Sequence, residues 1–222
     1  MNELVIATQN PGKIAELRVL LAEVPVRVLG LDDAGGPFPE PPETGRTFKD
    51  NAALKARTYA ELTGRACLAD DSGLEVDALD GQPGVDSAWY AYDSEALAKA
   101  DERDVRDPAN NAKLLKQLEG VPPDKRTARF VCCMALAVPS GSEVHLVATT
   151  RGTFAGRIGV PPRVPAGTHG FGYDPLFLIA QEYKHTSAEL KPVEKNAISH
   201  RTDAARLMSD IIAGHARRDT DS

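Results

Sequence analysis

The chain has 222 residues, 42% of them hydrophobic and 26% charged, and carries a net charge of −6. That length buries a sizeable core, as one large α/β domain or a domain with two lobes, and the composition is that of a soluble globular protein. The mildly acidic balance argues against a general nucleic-acid surface, which needs a basic face, but leaves room for a small anionic substrate met by local lysines and a metal. The cysteines, Cys67, Cys132 and Cys133, form no CxxC or Cys/His cluster. They read as small core residues in a reducing compartment rather than as disulfide or zinc ligands. With no basic segment leading into an apolar one at Met1–Ile6 and no apolar run of spanning length, the expectation is a cytoplasmic protein without a membrane partner.

In chain order, Leu4–Ala7 reads as a buried strand that runs through Thr8-Gln9-Asn10-Pro11-Gly12-Lys13 into a helix. That helix places Ile14, Leu17, Leu20, Leu21 and Val24 at helical spacing. Asn10 is its expected N-cap and Pro11 suits the first helical position, where a missing N–H costs nothing. Val26–Leu31 is a second strand, and Gly35–Gly45, rich in Pro, Gly and Glu, a long exposed loop. A second helix opens at Thr47, with Asp50 as a variant capping box and Gly64 placed to end it.

Cys67–Ala69 is a short buried strand ending at Asp70-Asp71-Ser72-Gly73. The polar stretch Asp93–Asp107 is expected to be exposed, and a helix to run over Pro108–Leu118. Arg129–Val138 and Glu143–Thr150 read as a hairpin around Pro139-Ser140-Gly141, and Leu176–Ile179 as a short strand. From Pro192 the pattern is helical, with Ala204, Leu207, Met208, Ile211 and Ile212 on one face, and residues 217–222 form an expected disordered tail. A hairpin interrupting an α/β alternation predicts a mixed sheet flanked by helices.

Four segments could carry chemistry. Adjacent carboxylates at a strand end suit a hard divalent cation such as Mg²⁺, which brings phosphate substrates with it; the plainer reading is an Asx turn. Thr8–Lys13 joins a strand to a helix start whose backbone N–H groups and dipole favour phosphate, with Lys13 adding a charge, although the GxxxxGK[ST] spacing is absent. Gly170-Phe171-Gly172-Tyr173-Asp174-Pro175 combines a tight bend with an aromatic ring able to stack a base, or is a β-turn with core aromatics. Lys191–Arg201 gathers cations around Ser199, a position the helix dipole does not favour, unless it is simply a solvated basic face.

Together, Thr8–Lys13, Thr47-Phe48 with Asn51-Ala52 and Lys55-Ala56, Ala69–Leu74, Phe171–Pro175 and Ser199-His200-Arg201 resemble the inosine triphosphate pyrophosphatase family, also called Ham1-like. The match runs in order from Leu4 to about Leu207. The resemblance implies an α/β fold with an elongated mixed sheet, one domain of two lobes over residues 1–222, and a central cleft for the nucleotide. It implies Mg²⁺-dependent hydrolysis of dITP, ITP and XTP to the monophosphate and pyrophosphate, by a homodimer.

The roles it implies are as follows. Thr8, Gln9, Asn10, Pro11, Gly12 and Lys13 hold the triphosphate. Asp71 is the proton acceptor and a Mg²⁺ ligand. Ser72, Phe171, Gly172, Tyr173 and Asp174 contact the substrate, and Lys195, His200 and Arg201 complete the nucleotide site. Glu43 is the second metal ligand, with Glu40 its competitor. Gln9 and His169 stand where the family commonly has glycine.

Donors at His200 and Arg201 would favour a 6-oxo purine over adenine, a polar mismatch worth on the order of 10⁴-fold. A pyrophosphatase for modified pyrimidines, and a nucleotide-binding module without turnover, are the competing readings. Arg201 speaks against the first, and the intact Asp70, Asp71 and Lys13 against the second.

Overall fold

The computed structural model describes residues 1–220, and their side chains except at positions 96 and 218–220. It is an α/β fold built on a six-stranded sheet of order β2-β1-β3-β4-β5-β6. The strands are β1 (Glu3–Ile6), β2 (Arg27–Leu29), β3 (Cys67–Val76), β4 (Thr127–Ser140), β5 (Glu143–Ile158) and β6 (Phe177–Ile179). β1 pairs in parallel with β2 and β3, while β5 and β6 are antiparallel. β4 and β5 are neighbours joined by Gly141 and Ser142 alone, a connection only an antiparallel hairpin can make. The sheet is mixed, as the interrupted alternation predicts.

The helices start and stop where side chains satisfy their ends. α1 (Pro11–Leu20) is capped by Asn10, whose Oδ1 accepts from the N–H groups of Gly12 and Lys13. α2 (Phe48–Thr63) is capped by Thr47 Oγ1, which accepts from the Asp50 N–H and donates to the Asp50 carboxylate. Gly64 ends it in the left-handed conformation. α3 (Glu95–Ala98) and α4 (Arg103–Gln117) follow, then α5 (Pro192–Ile198) and α6 (His200–Thr220).

Several elements depart from the sequence expectation. β3 does not stop at Ala69 but continues to Val76, so Asp70 and Asp71 lie inside a ten-residue strand. β1 pairs only with the first residues of β3, Cys67 and Leu68, and the other neighbour of β3 in the sheet is β4, a strand more than fifty residues away that short-range patterning cannot register. The helix expected from Pro108 starts earlier, at Arg103, with Pro108 inside it, and Asp93–Asp107, expected only to be exposed, contains α3 and the first turns of α4. Ser199 breaks the C-terminal helical pattern into α5 and α6, and Leu207 is exposed rather than on the buried face. α6 extends to Thr220, over most of the span expected to be disordered, and residues 221–222 lie outside the described ones.

By contact, the chain divides into two compact units. One takes Met1–Asp71, Cys132–Gly152 and the chain from His200 onward; its core packs Leu4, Ile6 and Leu68 with Met134, Leu136, Met208 and Ile212. The other takes Ser72–Val131 and Thr153–Ser199, with a core of Leu74, Leu114, Phe130, Phe154, Tyr173 and Phe177. Each fully buried aliphatic or aromatic side chain contributes about 1.5–3 kcal/mol, so each unit has an apolar core of its own around its polar groups.

Candidate active site

Side chains alternate faces along a strand, so two adjacent carboxylates on β3 cannot share one environment. Asp71 faces α2. Its Oδ1 lies 3.3 Å from Lys55 Nζ, and its Oδ2 accepts from Asn51 Nδ2 at 3.2 Å. Asn51 and Lys55 are one helical turn apart on the buried face of α2, which brings both to the same oxygen pair. Lys55 Nζ also meets Glu43 Oε1 at 2.5 Å, and Asn51 Oδ1 accepts from the Gly45 N–H at 2.7 Å. One ammonium thus stands between two carboxylates, while Asn51 ties the loop bearing Glu43 to the helix.

The electrostatics follow from that sharing. Burial opposes the charge on Lys55, but Asp71 and Glu43 outweigh it and hold the ammonium charged, its pKa above the ordinary lysine value. Burial pushes the Asp71 carboxyl upward, Lys55 pulls it back, and the Glu43 charge pushes it up again. Its net direction is upward, chiefly because it is buried and the lysine that would offset this is shared with Glu43.

Asp70 turns to other partners. It is 2% exposed, and its Oδ2 receives Lys13 Nζ at 3.0 Å and Arg201 Nε and Nη2 at 3.4 Å each. Arg201 Nη1 donates to Glu16 at 2.6 Å. Burial raises the Asp70 carboxyl, but Lys13 and Arg201 more than reverse this and hold it far below the usual carboxylate range. Asp70 Oδ1 is buried without a hydrogen-bond partner. Lys13 is carried by the first turn of α1, where Thr8 Oγ1 accepts from the Asn10 N–H and Gln9 Nε2 donates to the Phe38 carbonyl. The helix-start N–H groups expected to be free are therefore partly engaged: those of Gly12 and Lys13 point at Asn10 Oδ1.

In the other unit, Asp174 is fully buried and Lys195 Nζ contacts its Oδ2. The same oxygen accepts from the Phe171 N–H at 2.9 Å. Gly170 has φ +77°, and a Cβ there would strike the Asp174 carboxylate, so the bend requires glycine. Phe171 is 49% exposed, with Lys195 Nζ 5.5 Å from its ring centroid. Tyr173 is buried and donates to the Ser87 carbonyl at 2.9 Å. Ser72 follows Asp71 on β3, half-buried, and next to it a Cβ on Gly73 would collide with Ser87.

Residues 4–211 match the Ham1 family. The chain belongs to the Ham1 family. It is 49% identical to the dITP/XTP pyrophosphatase of Nitratidesulfovibrio vulgaris over 94% of each chain, and 46% identical to that of Geobacter sulfurreducens over 95% of this chain and 96% of the other. A solved HAM1 protein from Coxiella burnetii superposes with a TM-score of 0.80 at 37% identity, covering 96% of this chain and all of that one. A dITP/XTP pyrophosphatase from Mycobacterium abscessus gives 0.70 at 43% identity, over 94% and 98%.

Within this Ham1 chain, the residues expected from sequence fall into three groups. Glu43 and Asp71 meet through Lys55. Lys13 and Arg201 meet at Asp70, and His200, also buried, precedes Arg201 at the start of α6. Phe171, Asp174 and Lys195 meet around one carboxylate oxygen. Lys55, Asn51 and Glu16 were not singled out as site residues. A signal existed for the first two: Asn51 and Lys55 interrupt the otherwise apolar face formed by Phe48, Ala52, Ala56 and Tyr59. None existed for Glu16, which looks like any helix-surface glutamate until Arg201 is placed beside it.

Proposed function

We propose that this chain is a Mg²⁺-dependent nucleoside triphosphate pyrophosphohydrolase that converts dITP, ITP and XTP to the monophosphate and pyrophosphate, clearing non-standard purines from the nucleotide pool. The observation that carries the reading is the set Glu43–Lys55–Asp71, in which two carboxylates converge on one cation. Relatives that match nearly the whole chain carry the name dITP/XTP pyrophosphatase.

The donor set fits Mg²⁺, a hard cation that takes one or two carboxylates and completes its shell with water and substrate phosphate. Asp71 and Glu43, brought together at Lys55, would be its protein ligands. When bound, the ion neutralises charge on the departing pyrophosphate. Lys13 would meet the same charge from the helix start, with Thr8, Gln9, Asn10, Pro11 and Gly12 shaping the loop around the triphosphate. Asp71, held in place by Asn51, is the proton acceptor for the attacking water.

Phe171 is the ring on which the base stacks, with Gly172, Tyr173, Asp174, Ser72, Lys195 and His200 as further substrate contacts. Donation from Arg201 to the 6-oxo group also belongs to this reading. A second role for Arg201 is favoured by its ion pairs with Asp70 and Glu16, which make it a brace for the carboxylate beside Asp71. The buried free thiols support a placement in the reducing cytoplasm. The homodimer is tested by sedimentation of the purified protein.

Incubation with a panel of nucleoside triphosphates and Mg²⁺ should release pyrophosphate, fastest from ITP, dITP and XTP, and chelation should stop it. Orthophosphate with a nucleoside diphosphate as first products would make the protein a terminal phosphatase, and binding without turnover would make it a nucleotide-binding module.

A further inference from the structure

The proposed base-stacking ring is exposed, yet its loop is held by a helix to which neither the sequence nor the proposed chemistry gives a part. Arg103, Asp107 and Asn111 are spaced four residues apart on α4, so they line one face of it. All three engage Phe171 or Gly172. Asp107 Oδ2 accepts from the Gly172 N–H at 2.8 Å, and Asn111 Nδ2 donates to the Gly172 carbonyl at 3.0 Å. The Arg103 guanidinium carbon lies 4.6 Å from the Phe171 ring centroid. Gly172 itself has φ +61°, a conformation that leaves its peptide groups without a regular ladder. Helix α4 supplies both of the partners that the loop backbone lacks there.

We propose that this face of α4 positions the purine platform: Asp107 and Asn111 lock the Gly172 backbone from both sides, and Arg103 holds the ring of Phe171 ready for a 6-oxopurine nucleotide. The proposal rests on the reading of Phe171 as the base-stacking residue. A loop that merely closes the fold has no need to present a half-exposed ring through three side chains of one helix. A stacking surface does, since a ring ordered before binding spares the nucleotide the entropy of ordering it. The residues act through Phe171 and are positioning residues.

The test separates base from phosphate. Binding of IMP and of pyrophosphate, each with Mg²⁺, is measured by calorimetry on the full chain, alongside KM and kcat for ITP and a melting curve. Asp107→Ala and Asn111→Leu should each weaken IMP binding by about 5- to 10-fold, the range one hydrogen bond supplies. Pyrophosphate affinity should stay unchanged, and KM for ITP should rise more than kcat falls. Asp107→Asn, which keeps the acceptor, should restore IMP affinity.

Arg103→Ala lies at an exposed position and keeps the test decisive if the other variants fold poorly. It should weaken IMP binding about 2- to 5-fold, the scale of an exposed cation–π contact, with Arg103→Lys recovering part of it. Equal loss of IMP and pyrophosphate, or unchanged IMP affinity in folded variants, overturns the proposal while leaving the pyrophosphatase reading intact. Absence of both IMP binding and ITP hydrolysis in the unaltered protein overturns that reading first, and this proposal with it.

Discussion

Arg201, in the first turn of α6, sets both Nε and Nη2 3.4 Å from a single oxygen of Asp70, a residue 131 positions earlier on β3. The contact joins the last helix to the strand that carries the acidic pair. It also divides that pair by role. Asp70 is locked into a buried ion-pair network with Lys13 and Arg201, whereas Asp71, on the opposite face, shares a lysine with Glu43.

The two aspartates should therefore fail differently when neutralised. Asp71→Asn is expected to abolish pyrophosphate release with the melting temperature close to that of the unaltered protein. Asp70→Asn removes the anion that Lys13 and Arg201 share, leaving Arg201 with Glu16 alone, and should cost about 3–5 kcal/mol of stability, the scale of a broken buried pair. Because the Asp70 carboxyl is held below its ordinary value, its contribution is present above about pH 4 and is lost as pH falls below that. Denaturant melts of the protein and Asp70→Asn should converge in acid. A stability gap independent of pH would remove Asp70 from the network.

Arg201→Ala distinguishes brace from base donor. The ion pairs predict a lower melting temperature and a parallel fall in kcat/KM for ITP and ATP. If the ITP value alone dropped, by about 10- to 150-fold, the guanidinium would be a donor to the 6-oxo group.

Lys55→Met removes the cation between Glu43 and Asp71 while keeping much of the side-chain volume. Metal-free variant protein should melt at a lower temperature, since buried Asp71 and half-buried Glu43 lose their shared counter-ion. Added Mg²⁺ should raise its melting temperature more than that of the unaltered protein, where the ion competes with the ammonium. An equal response in both proteins would place the metal elsewhere.

The cysteines should be inert. All three are buried; burial pushes the Cys67 thiol up to about 11, and raises Cys132 further with the help of the Asp70 charge. Since the thiolate is the reactive form, native protein at pH 8 should react slowly with a disulfide reagent, and unfolded protein should expose three thiols at once. A fast-reacting thiol in the native state would contradict this packing.

Local chemistry settled much of this protein from the sequence. The caps at Asn10 and Thr47, the stop at Gly64 and the turn at Gly141 depend on side chains within a few residues of each other, and each stands where its residues place it. The motifs that resemble the Ham1 family were legible for the same reason, being contiguous. Partners separated by tens of residues were not. No spacing along the chain reveals that Lys55 closes on Glu43, that Glu16 receives Arg201, or that one face of α4 clamps Gly172. Nor does local patterning show that β3 continues through two aspartates, because the cations that make those charges tolerable come from α1, α2 and α6. Burying a carboxylate is costly until its counter-ion arrives, and only the tertiary structure brings that counter-ion.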